Sequence, residues 1–221
     1  MHIRRNALTA GLAMIVMTIL LGIIYPLVVT GISQVAFPGN ANGKQVKVDG
    51  KLVGSKIIGQ QFAIQVIKNG KPQVDKNGNP VTAPDPKYFQ TRPSATVPPD
   101  NDAATTFSNL GPNNIATEQE IAANIKAYLA LEKPYDPGLT TAQVPVDAAD
   151  SSASGVDPDI SQANAWIQAH RIAAVRHLSL SKVMQLISQY TTGQSLGIFG
   201  EPGVTVLDLN LALDRLAGGR S

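Results

Sequence analysis

The chain of 221 residues carries 18 basic and 16 acidic side chains and no cysteine. Disulfides, thiolate catalysis and cysteine-ligated metals are thereby excluded, and the near-balance of charge gives no reason to propose a nucleic-acid partner. Hydrophobic residues make up 43% of the chain and are dense at its start, and of the 15 Pro and 19 Gly in the whole chain most fall in a polar remainder rich in connections.

Residues 7–29, ALTAGLAMIVMTILLGIIYPLVV, carry no charge. About 23 helical residues at 1.5 Å each cross the ~30 Å hydrocarbon core of a bilayer, so this stretch predicts a transmembrane helix. Arg4 and Arg5 precede it and the next charge is Lys44. The positive-inside bias then puts the N-terminus in the cytoplasm and the rest of the chain outside, at the plasma (inner) membrane. A cleaved secretory signal would have a shorter apolar region and a small-x-small site, which Ser33-Gln34-Val35 and Gln34-Val35-Ala36 do not provide. Gly11, Thr18, Gly22 and Pro26 fall on one stripe of the helix. Such a stripe suits close packing on a partner helix, although Gly and Pro are also simply common in membrane helices.

The predicted fold class is α+β: an anchor helix over residues 1–36, then a single extracytoplasmic mixed α+β domain over 37–221, with 65–85 as a hydrophilic hairpin or loop insertion. Asp49-Gly50 between alternating residues predicts a hairpin, and Asn69-Gly70 and Asn77-Gly78 predict turns within the insertion. YFQTRPSA (88–95) and SNLGPNN (108–114) have neither a helical nor a strand period, and Arg92 there suits either an anion or loop carbonyls. Thr117 and Glu120 form a capping-box pattern ahead of Ile121, Ile125 and Leu129, predicting a helix to about Leu131. Ser161 is placed to cap a helix through about His177, and Ser179 or Ser181 another that ends at Gly193. Val204-Thr205-Val206 reads as a strand passing into a C-terminal helix through Leu209, Leu213 and Leu216.

Patterns that carry chemistry are sparse. Asp147, Asp150, Asp157 and Asp159 invite a cation site, but their spacing does not fit an EF-hand, and Asp and Ser are ordinary residues of turns and caps. Gly50 to Lys56 has the letters of a phosphate-binding loop in the wrong order. Ser179-Leu180-Ser181-Lys182 matches the S-x-x-K of penicillin-interacting acyl-transfer enzymes, a remote alternative, since the companion motifs are missing. His170 and His177 stand seven apart, two turns on one helical face, without a third ligand.

Taken together, LVGSKIIGQ (52–60), YFQTRPSA (88–95), SNLGP (108–112), VPVD (144–147), SASGVDP (152–158) and GEPGVTVLDLNLALD (200–214) resemble the KdpC family, the small C subunit of the bacterial potassium-transporting P-type ATPase. The chain departs from the usual pattern at Asp150, Ser151 and Gly203 and in the extra segment 65–85. The resemblance implies a non-catalytic subunit that assembles with a channel-like potassium-binding subunit, an ATP-hydrolysing subunit and a small single-span subunit. It further implies a catalytic chaperone that raises the ATP affinity of the hydrolysing subunit, with no tightly bound cofactor and at most ATP shared with that subunit. Gln168, three residues before Arg171, matches the family's glutamine proposed to hold nucleotide. Topology opposes this role, because Gln168 falls in the domain placed outside whereas ATP is hydrolysed inside. The alternative is an outer cap that steadies the complex and shapes potassium access.

Overall fold

The computed structural model describes residues 2–96, 99–101, 103, 109–194 and 197–218. Ser108, which opens one of the motif blocks, lies outside the described residues. The chain is mixed α and β and divides into two compact units, Met1–Val53 and Gly54–Ser221.

The first unit begins with one long apolar helix, Ile3–Ala36, long and apolar enough to cross a membrane. It is built as α1 (His2–Ile19), a wider π turn (Leu20–Ile24) and α2 (Tyr25–Ala36). The π turn has a local cause. Pro26 has no N–H, and in a regular α-helix its ring would press on the carbonyl of Gly22, four residues back. The turn widens instead, and the Tyr25 N–H donates to Leu20 O, five residues back. Phe37 leaves the helix (φ −138°), and α3 (Pro38–Ala41) folds the chain back. The Asn42 amide donates to Gln34 Oε1 (3.0 Å) and to Pro38 O (2.7 Å), tying this turn to the end of α2. β1 (Gln45–Val48) and β2 (Lys51–Ser55) then form the expected hairpin. Asp49 and Gly50 both have positive φ (49° and 76°), the conformation of a two-residue type I′ turn.

In the second unit an exposed arm of nested hairpins comes first. β3 (Ala63–Gln65) pairs with β6 (Thr82–Pro84), and inside them β4 (Ile67–Lys68) pairs with β5 (Lys71–Pro72) around Asn69-Gly70. Beyond β5, Asp75 accepts from the backbone amides of Asn77 and Asn79, which holds its carboxyl below the usual range.

The core gathers behind this arm. α4 (Ile115–Glu132), a 3₁₀ turn (Thr141–Gln143) and α5 (Val146–Ala149) lead to β7 (Asp159–Ile160), α6 (Gln162–Val175), α7 (Leu180–Gln189), β8 (Thr191–Thr192), β9 (Gly203–Thr205) and α8 (Val206–Gly218). The antiparallel order β7-β9-β8 puts Val204 opposite both Ile160 and Thr191. Around that sheet Phe89, Ile172, Val183, Ile187, Val206, Leu209 and Leu213 are fully buried, so the α6, α7 and α8 helices supply the hydrophobic stabilisation. The strand-to-helix passage at Val206 is as expected. Gly59 shows why one motif block needs a glycine: its N–H donates to Val156 O (2.7 Å), and a Cβ there would stand 2.7 Å from Asp157 O.

Three sequence expectations are corrected. α4 starts at Ile115 under Asn114, whose side chain accepts from the Ala116 N–H (2.8 Å), and Thr117 lies inside the helix, donating to Gly111 O. Asn is the stronger cap, and it stands three residues earlier than the expected threonine. α6 stops at Val175. His177 takes a left-handed φ of 53° while Leu178 N–H donates to Ala173 O (2.9 Å) and His177 N–H to Ala174 O (3.4 Å), a Schellman ending. His170 and His177 therefore share no helical face. α7 is capped by Ser179 and ends at Gln189, because Thr191-Thr192 joins the sheet before Gly193.

Candidate functional site

Asn164, Gln168 and Arg171 lie at i, i+4 and i+7 on α6, the spacing that stacks residues on one face of a helix. That face is polar and yet buried, so each group must find a partner within the protein. The chain of contacts starts at the helix N-terminus, where the Asp147 carboxylate accepts from the Ser161 N–H and Oγ (2.8 Å each) and from Asn164 Nδ2 (3.0 Å). Asn164 Oδ1 accepts from the Tyr128 hydroxyl and from Gln168 Nε2, both at 2.9 Å. Burial pushes the Tyr128 phenol well above its ordinary range, with Glu132 adding to the effect, so it remains a neutral donor.

Gln168, only 1% exposed, has all four hydrogen-bonding positions filled. Nε2 donates to Gln90 O (3.1 Å) as well as to Asn164, while Oε1 accepts from the Gln90 N–H (2.7 Å) and from Arg171 Nη2 (2.9 Å). Arg171 completes the network. Its Nε donates to both oxygens of Glu132 (2.9 and 3.1 Å), and its Nη1 to Pro86 O (2.7 Å) and Tyr88 O (2.9 Å). The pair is 0% and 1% exposed. Burial raises the Glu132 carboxyl, and the guanidinium pulls it back by the lesser amount.

These contacts explain how a segment without a strand or helix period is held. Along YFQTRP (88–93), Asn210 brackets the main chain of Phe89 with Oδ1 accepting (2.9 Å) and Nδ2 donating (3.0 Å), as Gln168 brackets Gln90. Two side-chain amides thus replace the neighbouring strand. Arg92 donates to Asp150 O and Ser151 O and pairs with Asp157 (3.3 Å), so it holds loop carbonyls, the second of its two sequence readings.

A cavity of about 320 Å³ opens beside the network, lined in part by Gln90, Arg92, Asp100, Asn124, Tyr128 and Gln168. Desolvation pushes the Asp100 carboxyl up to about 6, opposed by a hydrogen bond from Thr91 Oγ1 (3.2 Å). Of the four acids singled out in sequence, Asp147 belongs to the network, Asp157 is paired with Arg92, and Asp159 is half-buried with its carboxyl raised by burial. Among the described residues no group of three His, Asp or Glu is placed to hold a metal ion. Ser179 Oγ is engaged as a helix cap, and Lys182 is exposed, with its amine near Gln185. Sequence reading missed Asn164, Glu132 and Asn210, and took Arg171 only as the marker of Gln168's spacing. The i, i+4, i+7 spacing of polar residues on α6 was the available signal.

These features define the class: one apolar helix long enough to cross a membrane, followed by a small α+β domain with a buried polar network on α6. The chain belongs to the KdpC family: the family model described as "K+-transporting ATPase, c chain" matches residues 7–215. It is 43% identical over 208 residues to a potassium-transporting ATPase KdpC subunit of Methylococcus capsulatus, covering 94% of this chain and 96% of the relative. It is 45% identical over 214 residues to that of Polaromonas naphthalenivorans, covering 96% of each. The chain is thus an accessory subunit of a potassium-transporting ATPase, and the enzymatic activity belongs to the complex.

Proposed function

We propose that this subunit is a single-span protein of the plasma membrane, N-terminus in the cytoplasm, whose outer domain braces the potassium-uptake complex. The observation that carries this is the helix Ile3–Ala36, with Arg4 and Arg5 at its start and no further charge before Lys44. Its partners are the channel-like potassium-binding subunit, the ATP-hydrolysing subunit and the small single-span subunit. Gln168 acts inside the domain, fixing the 88–93 segment, and any effect on ATP affinity passes through assembly. The cavity beside Gln168 supports this over a direct nucleotide contact. Its lining includes Asp100, and its cation Arg92 is already paired with Asp157, a poor environment for a polyphosphate. Protease added to spheroplasts is expected to digest the domain. Protection until lysis would overturn the orientation.

A further inference from the structure

Beyond that role, we infer that the turn following the apolar helix is a contact site for anionic lipid headgroups, with Lys44 and Lys47 as the phosphate-binding cations. The apolar run ends at Val29, and Gln34 lies five helical residues further, about 7.5 Å along the axis. The headgroup layer of a bilayer is about 5–7 Å thick on each side, so Gln34 reaches its outer edge. The chain does not continue outward from there. The paired amides of Asn42 and Gln34 (3.0 and 3.4 Å) bring it back to the level of Gln34. Lys44 follows two residues later, its N–H donating to Gly39 O (2.7 Å), within about 7 Å of Asn42 along the backbone. Phe37, 63% exposed, caps the end of the helix.

Charge complementarity selects the occupant. From Lys44 to Lys76 the chain carries seven lysines and two aspartates, whereas residues 77–221 carry 14 acidic and 9 basic side chains. Within the first unit, the chain past the helix carries Lys44, Lys47 and Lys51 against the single acid Asp49. Among the described residues Lys44, Lys47 and Lys51 enter no ion pair, in contrast to Lys56, which is held by Asp208 at 2.9 Å. A lysine close to an anionic membrane surface gains about fivefold in association at physiological salt.

This inference rests on the membrane-span reading, and its test separates the two. The full chain with Val29→Trp, in a Trp166→Phe background, is reconstituted into phosphatidylcholine vesicles. These contain ~20 mol% of either tail-brominated phosphatidylglycerol or tail-brominated phosphatidylcholine. Fivefold enrichment takes the local anionic fraction from about a fifth to about half, so brominated phosphatidylglycerol quenches the tryptophan more strongly. The excess disappears in high salt and in Lys44→Gln/Lys47→Gln, and persists in Lys126→Gln/Lys133→Gln on α4. Equal quenching by the two lipids, or an excess that survives the Lys44/Lys47 change, overturns the inference while leaving the span intact. No quenching by either lipid overturns the span and the inference with it. If equal quenching is accompanied by loss of complex recovery in Lys44→Gln/Lys47→Gln, an acidic protein surface is the partner, and the lipid assignment falls.

Discussion

Replacing Gln168 by alanine separates a role in holding the domain together from a role in holding nucleotide. The substitution removes four hydrogen bonds, with unequal consequences. Asn164 Oδ1 keeps the Tyr128 hydroxyl, and Arg171 keeps Glu132 and two carbonyls. The main-chain N–H and C=O of Gln90 lose the amide that brackets them, and each buried polar group left unmade costs about 1–3 kcal/mol. Water entering from the adjoining cavity recovers part of this, so the expected loss is about 2–3 kcal/mol. At about 2–4 °C per kcal/mol for a domain of this size, Tm of the detergent-solubilised chain falls by about 4–12 °C, followed through Trp166 fluorescence. The assembled complex should then show reduced recovery, with the ATP KM of whatever assembles unchanged. Were Gln168 a nucleotide ligand, KM for ATP would instead rise about fivefold to twentyfold, with the unfolding of the chain unaffected. That pair of results refutes the structural role.

Arg171→Met leaves the Glu132 carboxylate buried without its partner and orphans the carbonyls of Pro86 and Tyr88, so urea unfolding at pH 8 should show a loss of about 3–5 kcal/mol. Burial already raises the Glu132 carboxyl, and removing the guanidinium raises it further, so the unpaired group escapes by taking up a proton and the deficit shrinks at pH 5; an equal deficit at both pH values would count against an ionised Glu132. Asp100 has a folded-state value of about 6 against an ordinary 3.8, so the folded state binds more protons between these values and loses stability as pH rises through them. Asp100→Asn should therefore stabilise the chain by about 1 kcal/mol at pH 7.5, a figure reduced for its partial exposure, and leave it unchanged near pH 3.5; equal Tm shifts at the two pH values would refute this.

Local chemistry made much of this fold legible in the sequence. The apolar run over residues 7–29 marks a helix because nothing in it can be left in water or charged in lipid. Asp49-Gly50 makes a hairpin because those two residues tolerate positive φ, and Ser161 and Ser179 start helices because their hydroxyls reach amides three residues on. The periodic apolar residues of α7 and α8 named their own buried faces. What no local rule contained is the polar interior. Whether Asn164, Gln168 and Arg171 face solvent or the core depends on α4 and the 88–93 segment packing over α6, contacts separated by 36 to 85 residues. Only the tertiary structure could therefore decide that YFQTRP is gripped by side-chain amides, and that the acids at 147 and 157 are engaged within the fold. A partner distant in the chain, once it excludes water, turns an ordinary surface residue into a buried one whose hydrogen bonds must be satisfied.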